Sequence, residues 1–359
     1  MAGLVEIRGV TKRHARHGLL AGGSGAPAVD DVSLTIQRGE VFGLVGESGC
    51  GKTTLARAVL HLDPPTAGEI VYDGMSLGSM SRRTLRAMRR RMQIVFQDPH
   101  AALDPRMRIR DSMEEGLRNL HVPRREREAR VADLLSVVGI PAENAARWPH
   151  EFSGGQKQRI VIARALSVEP EFLVLDEPVS NLDVSIQAQI VNLLRDLRGR
   201  YGLTYLFISH DLHLVAYLAD RIGVMYRGRL VECAPTVDLM ERPLHPYTER
   251  LFASVPGSSA DPSASEAPVS LPERGETPDA SPSERDEAPA SGPSPARSIG
   301  GCPYRDRCPW SIDDCARAVP VLRSVGAGHS VACIRAPLEN VARGAGSAPF
   351  MNTRQGEES

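Results

Sequence analysis

Aromatic side chains are scarce: Phe, Trp and Tyr make up 4% of the 359 residues. An excess of one charge is missing too, since 43 Lys and Arg face 44 Asp and Glu for a formal net charge of -1. A chain with no basic field and few flat rings lacks both the electrostatic footprint and the stacking platforms of a nucleic-acid binder. No apolar run has the length needed to cross a bilayer. The opening MAGLVEIRGV shows no basic stretch ahead of an apolar one, so no secretory leader is expected. The expectation is a protein made and kept in the cytoplasm. There its six cysteines are not expected to form structural disulfides. Internal repeats and sustained heptads are also missing.

What is present is a globular texture over residues 1–256. Apolar runs at 41–46 (VFGLVG), 92–97 (MQIVFQ), 171–177 (EFLVLDE), 203–210 (LTYLFISH) and 221–226 (RIGVMY) read as strands. Amphipathic stretches such as Thr54–Leu60 and Ser185–Arg198 lie between them. Continuous apolar strands separated by helices predict an α/β fold whose sheet is largely parallel and covered on both faces. Residues 107–150 break that rhythm with charged, helical sequence and no good strand, which predicts an inserted helical subdomain. Residues 257–300 are rich in Pro, Ser, Ala, Glu and Asp and poor in large apolar side chains. Such a segment cannot bury enough surface to offset its ordering entropy, and a disordered linker is expected. Residues 301–338 then bring four cysteines close together, and 339–359 read as a flexible tail.

The clearest chemistry lies at Gly46-Glu-Ser-Gly-Cys-Gly-Lys52-Thr53, a G-x4-GK[ST] phosphate loop between an apolar strand and a helical pattern. Gly46, Gly49 and Gly51 let the backbone wrap close to a phosphate chain. The N–H groups from Ser48 to Thr54 and the helix terminus supply positive potential. Lys52 is placed to reach the β- and γ-phosphates of ATP, and Thr53 to offer its hydroxyl to Mg²⁺. The run FLVLDEP ends its strand on Asp176 and Glu177. An acidic pair after a strand is common on surfaces. Beside a phosphate loop, Asp176 becomes a Mg²⁺ ligand through water and Glu177 a general base for the attacking water.

A second glycine-bearing helix start follows at FSGGQKQR (152–159). Ser153 is a good N-cap and Gly154 and Gly155 free the backbone, so this is another anion-binding terminus. One nucleotide does not need two such ends from one domain. The economical reading gives the second end to another subunit's nucleotide, with two chains packed head to tail.

In their order, GESGCGKTT, FSGGQKQR, FLVLDEP, SNLD and ISHD resemble an ABC-type ATPase domain over residues 1–256. The resemblance implies a P-loop NTPase fold with a mixed sheet and an inserted helical subdomain, and ATP and Mg²⁺ as cofactors. It makes Ser153, Gly154, Gly155 and Gln156 the signature loop that reaches the γ-phosphate across a dimer. It makes Gln97 of VFQDP the residue that senses Mg²⁺ and water and couples to the membrane partner. Asp183 of SNLD is similar to the D-loop aspartate, with Asn181 where a small residue is usual. His210 of ISHD is similar to the switch histidine at the γ-phosphate. The family stacks an aromatic on adenine near the first strand. Here TKRHARHG (11–18) offers His14 in that place.

QIVFQDPHAALDPRM (93–107), PVSNLDVSIQAQIVNLL (178–194), HPYTERLFASVP (245–256) and the tail CPYRDRCPWSIDDC…VAC are similar to the ATPases of oligopeptide/dipeptide importers. That branch implies a peripheral subunit on the cytoplasmic face of the cell membrane. Its partners are a second related ATPase (a heterodimer is usual), two polytopic permeases and an extracytoplasmic substrate-binding protein, with no nucleic acid. Two rivals remain at this stage: an exporter subunit, and a cytosolic non-transport ABC ATPase.

Cys302, Cys308, Cys315 and Cys333 are spaced C-x5-C-x6-C-x17-C. Four thiolates can hold a [4Fe–4S] cluster or Zn²⁺, or stand as reduced thiols in a small lobe. Gaps above four residues suit a zinc ribbon poorly. Cys50 and Cys233 read as a small loop residue and a strand-core residue.

Overall fold

The computed structural model describes residues 3–14, 26–253, 300–326 and 328–336. The linker expected at 257–300, apart from Gly300, and the tail expected at 339–359 lie outside the described residues. The chain begins β1 (Val5–Lys12), β2 (Val29–Ile36), β3 (Val41–Val45), α1 (Lys52–Val59), β4 (Ala67–Tyr72), β5 (Met75–Ser76), α2 (Arg82–Arg91) and β6 (Met92–Val95). A helical stretch follows, with α3 (Pro99–Ala102), α4 (Ile109–Asn119), α5 (Arg124–Val137) and α6 (Gly154–Leu166). Then come β7 (Phe172–Asp176), α7 (Val184–Tyr201), β8 (Thr204–Ile208), α8 (Leu212–Leu218), β9 (Arg221–Tyr226) and β10 (Arg229–Pro235). The described part closes with α9 (Thr236–Glu241), α10 (Pro246–Ala253), β11 (Arg323–Gly326) and β12 (His329–Val331).

The larger sheet has eight strands in the order β11-β12-β10-β9-β3-β8-β7-β6. From β9 to β6 all pairs are parallel, and β10, β12 and β11 add to the β9 edge antiparallel. Every residue of β3, β7 and β8 is buried, as parallel strands with both faces covered require. Period-two alternation divides these strands between two cores. Val41, Val45, Leu173, Leu175, Tyr205 and Phe207 face the helices α4 to α8. Phe42, Leu44, Phe172, Val174, Leu206 and Ile208 face the other way.

That second core is closed by a separate antiparallel sheet, β2-β1-β4-β5. Its strands were not singled out from sequence. They alternate between buried and half-buried positions and carry no continuous apolar run, as β1 shows. Between β6 and α6 the backbone is helical, with α4, α5 and short turns at Ala142–Ala146 and Pro149–Glu151. Ile109, Met113, Val131, Leu134 and Leu135 seat this segment on the first core. The buried Glu114 carboxylate accepts from Arg127 Nε at 2.9 Å and joins α4 to α5.

The cysteine-bearing segment is not a free appendage. β12 pairs with β10 through Glu232↔Val331 and Cys233↔Ser330, and Tyr304 enters the first core. Strands of three and four residues leave no periodic trace in a sequence, so this attachment emerges only from the pairing.

Candidate nucleotide site

Parallel register brings the motif residues to one end of the sheet. Leu44 lies level with Ile208, Ile208 with Asp176, and Val95 with Leu175. The phosphate loop after β3, His210 after β8, Glu177 after β7 and Gln97 after β6 all leave the carboxyl ends of adjacent strands. Open α/β sheets bind their ligands at that end.

The loop itself is shaped by glycines at positive φ. Gly46 (φ 152°) packs so close to the Met225 carbonyl that a Cβ would come within 2.3 Å of its oxygen. Gly51 (φ 107°) stands in the same relation to the Ala28 carbonyl at 2.2 Å. α1 then starts with no side-chain cap, so its first N–H groups stay available to a ligand. Lys52 is 5% exposed, and its ammonium donates to the carbonyls of Gly46 at 2.7 Å and Glu47 at 3.1 Å. Those bonds hold the charge inside the loop. Thr54 follows in the first turn of α1.

Thr53 Oγ1 donates to Asp176 Oδ1 at 3.1 Å. Burial pushes the Asp176 carboxyl above its ordinary value, while the Thr53 bond pulls the other way. A hydroxyl and a carboxylate side by side suit Mg²⁺, which takes one or two carboxylates together with water and phosphate oxygens. Glu177 has a left-handed backbone (φ 49°), uncommon outside glycine, and its N–H donates to the Ile208 carbonyl at 2.9 Å. Its Oε2 lies 3.3 Å from His210 Nδ1. The strained residue and the exposed imidazole form a pair beside the acid that faces Thr53.

The second terminus is closed on itself. Ser153 Oγ accepts from the Gln156 N–H at 3.3 Å, and Gln156 Oε1 accepts from the Ser153 N–H at 3.0 Å. Gly155 is required by packing, since a Cβ there would sit 2.6 Å from Ile186 Cγ2. Among the described residues no hydrogen bond joins Ser153–Gln156 to Lys52, Thr53 or Asp176. Asp183 caps α7, where its carboxylate accepts from the Ile186 N–H at 2.9 Å and the Ser185 hydroxyl at 2.8 Å. The Ile186 bond chiefly holds its carboxyl below the usual range. Gln97 is exposed. His14 lies 3.9 Å from the Asp63 carboxylate.

All four C-terminal cysteines border one cavity, with His245, Tyr304, Trp310 and Arg335 in its wall. Burial raises the thiol pKa of Cys302, Cys308 and Cys333. The neighbouring backbone N–H groups of Tyr304, Trp310 and Arg335 favour the thiolates and oppose that rise. Among the described residues no group of three or more His, Cys, Asp or Glu is arranged to hold a metal ion. Sequence reading missed the partners of Glu47, Tyr247 and Arg307, because HPYT shows no contact until α10 is placed beside the phosphate loop.

Similar sequences and folds are found among known proteins. Residues 29–180 match the ABC transporter family, and residues 231–315 match the oligopeptide/dipeptide transporter C-terminal region. A putative peptide import ATP-binding protein of Brucella ovis is 49% identical over 333 residues, covering 92% of this chain and 98% of that protein. The oligopeptide transport ATP-binding protein OppF of Bacillus subtilis is 55% identical over 232 residues, or 64% of this chain and 76% of OppF. The structure of cbiO1 from Clostridium perfringens, part of an ABC transporter complex, superposes with a TM-score of 0.59 at 28% identity. It covers 67% of this chain and 92% of cbiO1. A dimeric ATP-binding cassette in a post-hydrolysis state with ADP and Pi gives 0.56 at 29% identity, covering 65% of this chain and 98% of that one. The chain belongs to the ATP-binding subunits of ABC transporters, in the oligopeptide/dipeptide branch.

Proposed function

We propose that this ATPase powers the import of peptides from the cytoplasmic face of the cell membrane. It would work with a second, related ATPase, two polytopic permeases and an extracytoplasmic binding protein. The observation that carries the reading is one chain holding both a phosphate loop at 46–53 and the peptide-branch C-terminal region at 231–315. Among the described residues no helix is long and apolar enough to cross a membrane; the reading gives the permeation path to the permeases. The same C-terminal region disfavours the exporter and cytosolic readings.

In this reading Lys52 and the N–H groups of the loop bind the β- and γ-phosphates. Thr53 and Asp176 would hold Mg²⁺, which would supply charge neutralisation at the phosphates. Glu177 takes the proton of the attacking water, and His210 orients Glu177 and the γ-phosphate. Gln97 reports occupancy to the permeases. Ser153–Gln156 close over the nucleotide of the other ATPase, Asp183 lies along the same dimer face, and His14 packs near adenine. The test is uptake of labelled peptides by cells whose own copy is replaced. Cells carrying Glu177→Gln should take up no more than cells lacking the gene. Normal uptake in those cells would contradict the reading.

We further infer that Cys302, Cys308, Cys315 and Cys333 act as one set, and that the set suits an iron–sulfur cluster better than zinc. All four side chains line one cavity, and gaps of five, six and seventeen residues suit a zinc ribbon poorly. A cluster there would supply a cross-link for the lobe. Iron and acid-labile sulfide should accompany protein purified without oxygen and be lost in Cys302→Ser. Iron-free protein of unchanged stability would leave four ordinary thiols.

A further inference from the structure

We propose that Arg307 and Tyr247 are positioning residues for nucleotide binding, through which the cysteine-bearing lobe holds the phosphate loop at Glu47. Glu47 lies inside that loop, and no role was read for it from sequence. Its N–H donates to the Tyr247 hydroxyl at 3.0 Å. Its carboxylate accepts from Arg307 Nη1 at 3.2 Å on each oxygen. Its carbonyl accepts from Lys52 Nζ at 3.1 Å. One residue thus connects the phosphate-binding ammonium to two side chains from far along the chain.

Both anchors are themselves held. Tyr247 is 2% exposed, with its ring 4.6 Å from Tyr226 and 5.5 Å from Tyr304. Its N–H donates to His245 Nδ1 at 3.1 Å. The fully buried Glu232 carboxylate accepts from the N–H groups of Leu244 at 2.6 Å and His245 at 3.0 Å, and lies 2.8 Å from His329 Nε2. Tyr226 and Glu47 together favour the charged Arg307 guanidinium. Arg227 donates to the Pro303 carbonyl at 3.3 Å beside them. A continuous network therefore runs from β12 and the residues next to Cys308 into the loop. Releasing Glu47 lets the loop and Lys52 sample other positions, which weakens ATP binding. Glu177 and His210 lie outside this network, so the chemical step is spared.

The proposal rests on the reading that residues 46–53 bind ATP. The experiment measures ATP affinity, KM and kcat for the full chain and for Arg307→Ala, Glu47→Gln and the double variant. The Arg307–Glu47 pair is partly exposed, so a modest effect is expected: about two- to fivefold weaker binding in Arg307→Ala, with KM rising alike and kcat unchanged. Adding Arg307→Ala to Glu47→Gln should cost nothing more. Arg307→Lys should recover part of the affinity. Tyr247→Phe keeps the ring packing and removes only the acceptor, for about a fivefold loss. Wild-type affinity in Arg307→Ala, or an equal loss in both backgrounds, overturns the proposal. A wild-type chain that binds no ATP would instead remove the reading beneath it.

Discussion

Helix α1 begins uncapped, behind glycines pressed against other backbone, with Lys52 turned into the loop and Thr53 tied to Asp176. Helix α6 begins under a reciprocal Ser153–Gln156 cap whose bonds are all local. The first terminus is assembled by its own chain from the ends of β3 and β7 and gathers a cation, a hydroxyl and a carboxylate. The second brings only a hydroxyl and backbone N–H groups, already partly satisfied. An anion arriving at α6 must compete with the cap, so this end is suited to complete a site that another loop has already filled. In the proposed function, that division of labour is why one chain carries two such ends.

The largest effect is expected from disabling the chemistry of the first terminus alone. Glu177→Gln should keep ATP binding and cut phosphate release by roughly 100-fold or more. Wild-type turnover would remove Glu177 as the base. The second terminus is probed by Ser153→Asp in the assembled transporter. Aspartate caps a helix as well as serine does, so the melting temperature should hold. Its negative charge repels a γ-phosphate, and turnover should fall about tenfold while ATP still binds at Lys52. Unchanged turnover would show that α6 never meets a nucleotide.

A smaller effect separates the lobe from the rest. Burial pushes His245 down to about 4 from an ordinary 6.5, against the pull of Glu232. The unfolded chain therefore binds a proton that the folded chain refuses between those values, and stability falls as pH drops through that window. The slope from this group is at most about 1.4 kcal/mol per pH unit. Melting temperatures from pH 7.5 to 5 should show it, with a shallower acid slope in His245→Gln. Smallest is the α7 cap: Asp183→Ala should lower stability measurably, and Asp183→Asn less, because asparagine still caps a helix. Equal losses in a denaturant titration would deny Asp183 that capping role.

Much of this was legible in the sequence because the relevant patterns are local. The run Val41–Val45 followed by GESGCGKTT states strand, turn and helix in order, and FLVLDEP announces a buried strand with acids at its end. Parallel strands buried on both faces leave continuous apolar runs, so β3, β7, β8 and β9 could be read directly, and the half-buried edge strand β6 by its shorter apolar run. β1, β2 and β4 could not, because half-buried alternation is a fainter pattern. The clamp on Glu47 was out of reach for a different reason. Tyr247 and Arg307 lie 200 and 260 residues from Glu47, and nothing in HPYT or RDRC names a partner at such a distance. Register decides the contact, and register across a strand as short as His329–Val331 is set by the fold as a whole.

The most direct measurement is affinity purification of this chain from detergent-solubilised native membranes, with mass spectrometry of everything retained. The account predicts two polytopic subunits, a second ATPase and an extracytoplasmic binding protein with peptides in its site. Recovery of soluble proteins alone would contradict it and return the chain to the cytosolic ABC ATPases.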